Sequence, residues 1–279
     1  MIRDIRIAAV VCRCPVGDLA HNLNRTRHWI IQARKKGADL VCFPEMNLTG
    51  YSNRRMIAQH AIAANGPEID DLIRLAINQR MALLVGFAEM DRDGRIFASH
   101  MAITPNGSIG LYRKLHLAPP EVDHFNPGEQ IPVFQWSGMR FGIQLCYDAH
   151  FPEITTQMAE ADADAIFIPH ASPRGRAEEK HQSWMRHLPA RAFDNGLFVI
   201  ACNQTGDNGK GLIFPGNAVI FSPSGEILAT RLSGRSGLLV ADLKVEQLTH
   251  VRSHRMRYFL PNRRPELYRS RLQLTQLDD

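Results

Sequence analysis

The sequence predicts an α/β fold of two similar halves, with two sheets meeting in the middle and helices outside. Three observations predict it. Short β-branched apolar runs alternate with longer amphipathic segments. The order β-α-β-α-β-β occurs twice along the 279 residues. No low-complexity linker separates the two copies, so residues 1–279 read as one domain with a C-terminal extension from about 244.

Taken in order, IRIAAVVC (5–12) is a buried strand. Asp18 can cap a helix running to about Lys36, and Gly37 is its natural stop. ADLVCF (38–43) is a second strand, ending at Pro44 and Glu45. Residues 67–80 open with Pro and acids, as helix N-termini do. ALLVGFAEM (82–90) is a third strand. The turn signals DRDG (91–94) and PNGS (105–108) then frame the hairpin strands RIFASHMAIT and IGLYRK. After a loop of about 20 residues the pattern restarts. MRFGIQLC is a strand, FPEITTQMAEA a helix, ADAIFIP a strand and RAEEKHQSWMRHLPARAFDN a helix that Pro189 should kink or break. LFVIACN, GNAVIFSP, GEILAT and SGLLVADL complete the strands.

Composition narrows the class. Hydrophobic residues make up 44% and the net charge is only +5, which does not by itself imply nucleic acid. The five cysteines form no CxxC pair and mostly sit in apolar runs, which points to a reducing, cytoplasmic setting. No run approaches the roughly 20 apolar residues a membrane helix needs, so no membrane partner is expected. The Arg-rich tail RSHRMRYFLPNRRPELYRSR carries interleaved Tyr258, Phe259, Leu260, Leu267 and Tyr268. It reads as a segment packing on a partner subunit, not as a nucleic-acid arm, since no recognised nucleic-acid motif accompanies it.

Three strand ends carry chemistry. Glu45 follows VCFP, Lys114 follows GLYR and is one of only 6 lysines against 27 arginines, and Cys146 follows FGIQL. Strand ends of α/β sheets collect at one edge, where sites form. A thiol, a carboxylate and an ammonium are the minimum set for thiol-based acyl transfer.

FPEMNLTGY (43–51), YRKLHLAPPEVDHFNPGE (112–129) and CYDAHFPE (146–153) resemble the three signature blocks of the nitrilase superfamily, the carbon–nitrogen hydrolases. ACNQTG (201–206) and GNAVIFSPSGEIL (216–228) are similar to later family segments. The resemblance implies a four-layer αββα sandwich of two mixed sheets flanked by helices, and a homodimer or higher homo-oligomer. It implies Cys146 as nucleophile, Glu45 as general base and Lys114 as oxyanion stabiliser helped by the Tyr147 backbone N–H. Glu121 would orient Lys114 or position substrate and water, His116 would position the Lys114 loop, and Asp148 and Glu153 would be structural. No metal or cofactor is implied; His250 and His254 have i, i+4 spacing but lack a third plausible ligand.

The expected substrate is a small amide or N-carbamoyl compound, cleaved through a Cys thioester with release of ammonia. Tyr147-Asp148 stands where a nitrilase usually shows Trp-Glu. His150 departs from the Arg that many amidases of the family carry there, so it is a candidate substrate contact. His170, Arg174, Arg176 and Lys180 could line the pocket mouth and attract a carboxylate. Glu178 and Glu179 lie equally near and could instead favour a polyamine-type N-carbamoyl compound. A nitrilase and a non-catalytic dimeric scaffold are the remaining alternatives.

Overall fold

The computed structural model describes residues 1–268. The first half runs β1 (Ile5–Val11), α1 (Leu19–Lys35), β2 (Leu40–Cys42), α2 (Pro67–Gln79), β3 (Ala82–Met90), β4 (Ile96–Ile103) and β5 (Ile109–Arg113). The second runs β6 (Val133–Trp136), β7 (Met139–Ile143), α3 (Pro152–Glu160), β8 (Ala165–His170), α4 (Ala177–Trp184), α5 (Leu188–Asn195) and β9 (Phe198–Asn203). A small hairpin, β10 (Thr205–Asp207) and β11 (Ile213–Pro215), precedes β12 (Ala218–Phe221), β13 (Ile227–Arg231), β14 (Gly237–Leu243) and α6 (Val245–Arg252). A last short helix, α7, covers Pro265–Tyr268.

Two six-stranded mixed sheets result, ordered β14-β1-β2-β3-β4-β5 and β6-β7-β8-β9-β12-β13. Read in that direction, both run antiparallel, parallel, parallel, antiparallel, antiparallel. The halves are thus alike in topology as well as in element order. Each needs one antiparallel edge strand from outside its own run: β6 from the connection between the halves, and β14 from far down the chain.

Period-2 alternation explains the layering. On β1, Ile5, Ile7, Ala9 and Val11 point into a core shared with the second sheet, where they meet residues such as Phe141, Phe167 and Ile200. Ala8 and Val10 point the other way, into a core with Ile30 and Ala33 of α1 and Leu72 and Ala76 of α2. With both faces covered, the strand is apolar except for Arg6 near its start, which is exposed and pairs with Asp242. α3 and α5 cover the outer face of the second sheet, completing the αββα sandwich.

The structure departs from the sequence reading in two places. The segment read as one helix over 176–195 is two, α4 and α5, with Pro189 in the first turn of α5, where its missing N–H costs nothing. β6 lies in the stretch read as a loop, and the β10–β11 hairpin in a stretch to which the sequence reading gave no element. The described part of the C-terminal segment also touches its own chain: Leu248 and Val251 are buried, the Phe259 ring lies 5.4 Å from Phe193, and Arg252 bonds Asp164 at 3.0 Å. Residues 269–279 of that extension lie outside the described residues. No helix among the described residues is long and apolar enough to cross a membrane.

One glycine ties the fold to the strand-end groups. A Cβ on Gly86 of β3 would stand 2.5 Å from the Met46 backbone nitrogen and 2.7 Å from His100 Nδ1. Met46 follows Glu45 and already holds a left-handed φ of 53°. Gly86→Ala is therefore expected to cost about 1–3 kcal/mol, read as a lower thermal midpoint, and to reduce turnover by displacing Glu45. An unchanged midpoint would contradict this close-approach argument.

Candidate active site

Glu45, Lys114 and Cys146 each stand just beyond a strand end, and the sheets bring these ends together between them. Glu45 follows β2, Lys114 follows β5, and Cys146 opens a 3-10 turn (Cys146–His150) three residues after the end of β7. Both sheets contribute, so the site exists only where they face each other.

Lys114 is the hub. Its Nζ donates to Glu45 Oε1 at 2.9 Å and lies 2.9 Å from both oxygens of Glu121. All three side chains are buried, with 1%, 0% and 2% exposure for Lys114, Glu45 and Glu121. Two carboxylates on one ammonium is the arrangement that lets a charged group persist in a dry interior. Burial opposes the ammonium, but Glu45 and Glu121 outweigh it and hold the Lys114 pKa well above its ordinary value.

Glu45 is fixed at both ends. Its Oε2 accepts from the Ala171 N–H at 2.9 Å, and its backbone carbonyl accepts from Gln204 Nε2 at 2.8 Å. Burial raises its pKa to about 7 despite Lys114 beside it, with Glu121 adding to the rise. That places it where a proton acceptor at neutral pH is most useful. Glu121 accepts from Tyr51 Oη at 2.9 Å and from the Ala118 N–H at 2.8 Å. Every oxygen on the two acids thus has a donor.

Cys146 has φ of 46°, a left-handed value for a non-glycine residue. Such strain persists only where the surroundings over-determine it. Here Asp148 does so: its carboxylate accepts from the backbone N–H of Leu145 at 3.0 Å, the backbone N–H of His116 at 2.8 Å and Tyr112 Oη at 2.7 Å. It ties the thiol turn to the segment after Lys114. The His116 ring stacks on Phe151 at 3.7 Å, bracing the same junction. Burial first, then Glu45, pushes the Cys146 pKa up, so the resting sulfur is a thiol.

Cys146 opens into a cavity of ≈ 340 Å³. Tyr147, His150, His170 and Arg174 line it, together with Glu121 and Lys180. Arg176 does not: its side chain is 80% exposed and folds back on Glu179, three residues on. The expected pocket-mouth cluster thereby loses Arg176 and Glu179 to each other, because an i, i+3 pair on the first turn of α4 satisfies both locally. Lys180 Nζ donates to Ser172 Oγ at 2.7 Å. A larger surface hollow of ≈ 740 Å³, bordered by Phe193, Lys244 and His250, lies away from the thiol and carries none of these groups.

Sequence reasoning missed Tyr51 and His187, both of which line the cavity, as does Trp184. Tyr51 closes the first signature block and could have been found there. His187 gave no signal, since it falls in the break between α4 and α5 that the helix reading bridged.

The arrangement can be compared with known proteins. Residues 6–253 match the family model described as carbon-nitrogen hydrolase. An (R)-stereoselective amidase of a Pseudomonas species is 32% identical over 85% of this chain and 84% of its own length. An omega-amidase of Yersinia enterocolitica is 32% identical over 77% of this chain and 80% of its own. Among solved structures, an amidase of Nesterenkonia sp. AN1 bearing the acetamide moiety of fluoroacetamide covalently at its active site cysteine superposes with a TM-score of 0.81, at 28% identity over 95% of this chain and 96% of that one. With the family model, the relatives and the sheet architecture in agreement over most of its length, the chain belongs to the carbon-nitrogen hydrolase family and is an enzyme of that family.

Proposed function

We propose that this hydrolase cleaves a small linear amide bearing a carboxylate, through a thioester on Cys146 and with release of ammonia. The observation that carries the reading is the buried Glu45–Lys114–Glu121 cluster beside a strained cysteine that opens into a cavity. Cys146 attacks the amide carbon while Glu45 takes the thiol proton. The oxyanion that forms is met by Lys114 and the Tyr147 backbone N–H, donors aimed at charge that develops only in the transition state. Glu45 returns the proton to the departing nitrogen, then takes one from water as the thioester is hydrolysed. Glu121 holds Lys114 in place.

Two features support a carboxylate on the substrate. Lys180 and Arg174 line the cavity, and no carboxylate pairs with either among the described residues. The one lining carboxylate, Glu121, is already committed to Lys114, Tyr51 and Ala118. Glu178 and Glu179 are exposed and outside the lining, which removes the support for a cationic polyamine. The amidase and omega-amidase names among the relatives support an amide as the bond cleaved, while two relatives carry nitrilase names, a probable nitrilase of Schizosaccharomyces pombe at 28% identity and a nitrilase of Pyrococcus abyssi at 29%. The test is ammonia release from ω-amides of dicarboxylic acids, N-carbamoyl amino acids, neutral aliphatic amides and nitriles. Turnover confined to neutral amides would refute the acidic substrate.

The pH dependence has a definite sign. The base form of Glu45 is the carboxylate, populated above its pKa of about 7. kcat/KM is expected to fall about tenfold per pH unit below that value, the limb belonging to the coupled cluster and not to Glu45 alone. The raised thiol and ammonium titrate higher still and add no falling limb near neutrality. A profile flat down to pH 5 would contradict Glu45 as the base.

A further inference from the structure

One donor to Glu45 is not a side chain. Oε2 accepts from the Ala171 N–H at 2.9 Å, and a backbone donor is aimed only by what holds the chain around it. Sheet pairing does not reach that far. The β8–β9 ladder ends at the rung His170–Asn203, one residue before Ala171. Beyond that rung the Asn203 side chain takes over. Its Oδ1 accepts from the Ser172 N–H at 3.0 Å, and its Nδ2 donates to the Ser172 carbonyl at 3.0 Å. One primary amide thus offers a donor and an acceptor to one residue, as a neighbouring strand would. Asn203 is itself fixed: it is fully buried, its backbone N–H donates to the Asn217 carbonyl at 2.9 Å, and Asn217 Oδ1 lies 3.4 Å from its Nδ2. The next residue, Gln204, donates to the Glu45 backbone carbonyl. The end of β9 therefore grips both Glu45 and the segment that serves its carboxylate.

We propose that Asn203 is a positioning residue for the reaction: by clamping Ser172 it aims the Ala171 N–H at Glu45 and so sets how readily Glu45 accepts the thiol proton. This rests on the reading of Glu45 as general base and deepens it. An N–H donated to a carboxylate favours its charged form, and the Ala171 bond acts on Glu45 in that direction. Released from the clamp, the segment lets the N–H drift out of line, and Glu45 keeps its proton to higher pH. Glu45 also faces Lys114, Glu121, Cys146, Tyr51 and Tyr112, and His170, kept neutral by burial, precedes Ala171. Substituting Asn203 removes none of these groups, so a change in the titration of Glu45 reports the clamp.

The test is the rate at which iodoacetamide alkylates Cys146, followed by intact mass from about pH 5 to about pH 9. The wild type, Asn203→Ala, Asn203→Ser and Ser172→Ala are compared, with circular dichroism confirming the fold. In this reaction the sulfur bonds the methylene carbon, iodide leaves and Glu45 takes the thiol proton, so the acid limb reports Glu45 whatever the natural substrate is. The wild-type rate should fall below about pH 7. Asn203→Ala should move that limb up by about one pH unit, the scale of one hydrogen bond to a charged group. Asn203→Ser keeps one hydroxyl for Ser172 and should move it in the same direction by less, which also serves where the alanine variant folds poorly. Ser172→Ala keeps the clamped backbone and removes only Oγ, the acceptor for Lys180 at the cavity, so its limb should stay where the wild type has it. A limb unmoved in the Asn203 variants, or moved as far by Ser172→Ala, would overturn the inference and leave Glu45 standing as the base. A wild-type rate with no limb near neutrality would overturn both.

Discussion

Cys146→Ala is expected to lower turnover on the order of a million-fold, the scale for removing a nucleophile that acts as a unit with its partners, while the fold is retained. The substitution removes only the sulfur. The turn that presents it is held by Asp148 through the Leu145 and His116 amides, and none of those bonds involves the thiol. The strained φ of 46° is no worse for alanine than for cysteine. Ammonia release, circular dichroism and labelling by a haloacetamide together check the result. The wild type should acquire one adduct at Cys146, and Cys12, Cys14, Cys42 and Cys202 should stay unlabelled because they are buried. A folded variant with normal ammonia release would refute the nucleophile assignment.

Lys114→Met should be nearly as damaging, for two separable reasons. Removing one oxyanion donor costs at least about 100-fold in kcat. It also leaves Glu45 and Glu121 buried together without their shared cation, and breaking a buried ion pair costs about 3–5 kcal/mol. The chain can limit this only by protonating a carboxylate. Glu45 already sits at about 7 with Lys114 lowering it, so without Lys114 it moves higher. An acid whose folded pKa exceeds its unfolded value loses stability as pH rises between the two. The variant should therefore be most stable near pH 5 and weaken progressively toward pH 8, relative to the wild type. Thermal midpoints across that range check the stability term, and kcat at pH 8 for the surviving folded fraction checks the catalytic one. An unchanged kcat would remove Lys114 from the chemistry.

The doubled halves and the three strand-end groups were legible because both are written locally. β1, β3 and β9 are predominantly apolar runs, and Glu45, Lys114 and Cys146 follow such runs inside ordered blocks. What was not legible is non-local or short. β10 and β11 have three residues each, fewer than two periods of a strand pattern. β6 has four, following Pro132 and containing a Gln, and forms because β7 offers it an edge. Arg176 illustrates a different failure. Nearness in sequence to a pocket residue does not fix where a long side chain points, and Glu179 captured it. His187 reaches the cavity because α4 ends at Trp184 and the chain turns before α5, a break the Pro189 signal announced without placing.

The pairing of β14 with β1 bears on how the chain is made. Every residue of β1 from Ile5 to Val11 has a partner in Leu243 to Gly237. During synthesis the first half of the protein leaves the ribosome with that edge of β1 open, and at typical translation speeds its partner follows roughly tens of seconds later. The waiting edge belongs to IRIAAVV, an apolar and β-prone segment of the kind that templates aggregation when left exposed. Newly made chains therefore pass through an interval with this edge open, and it ends only when β14 arrives.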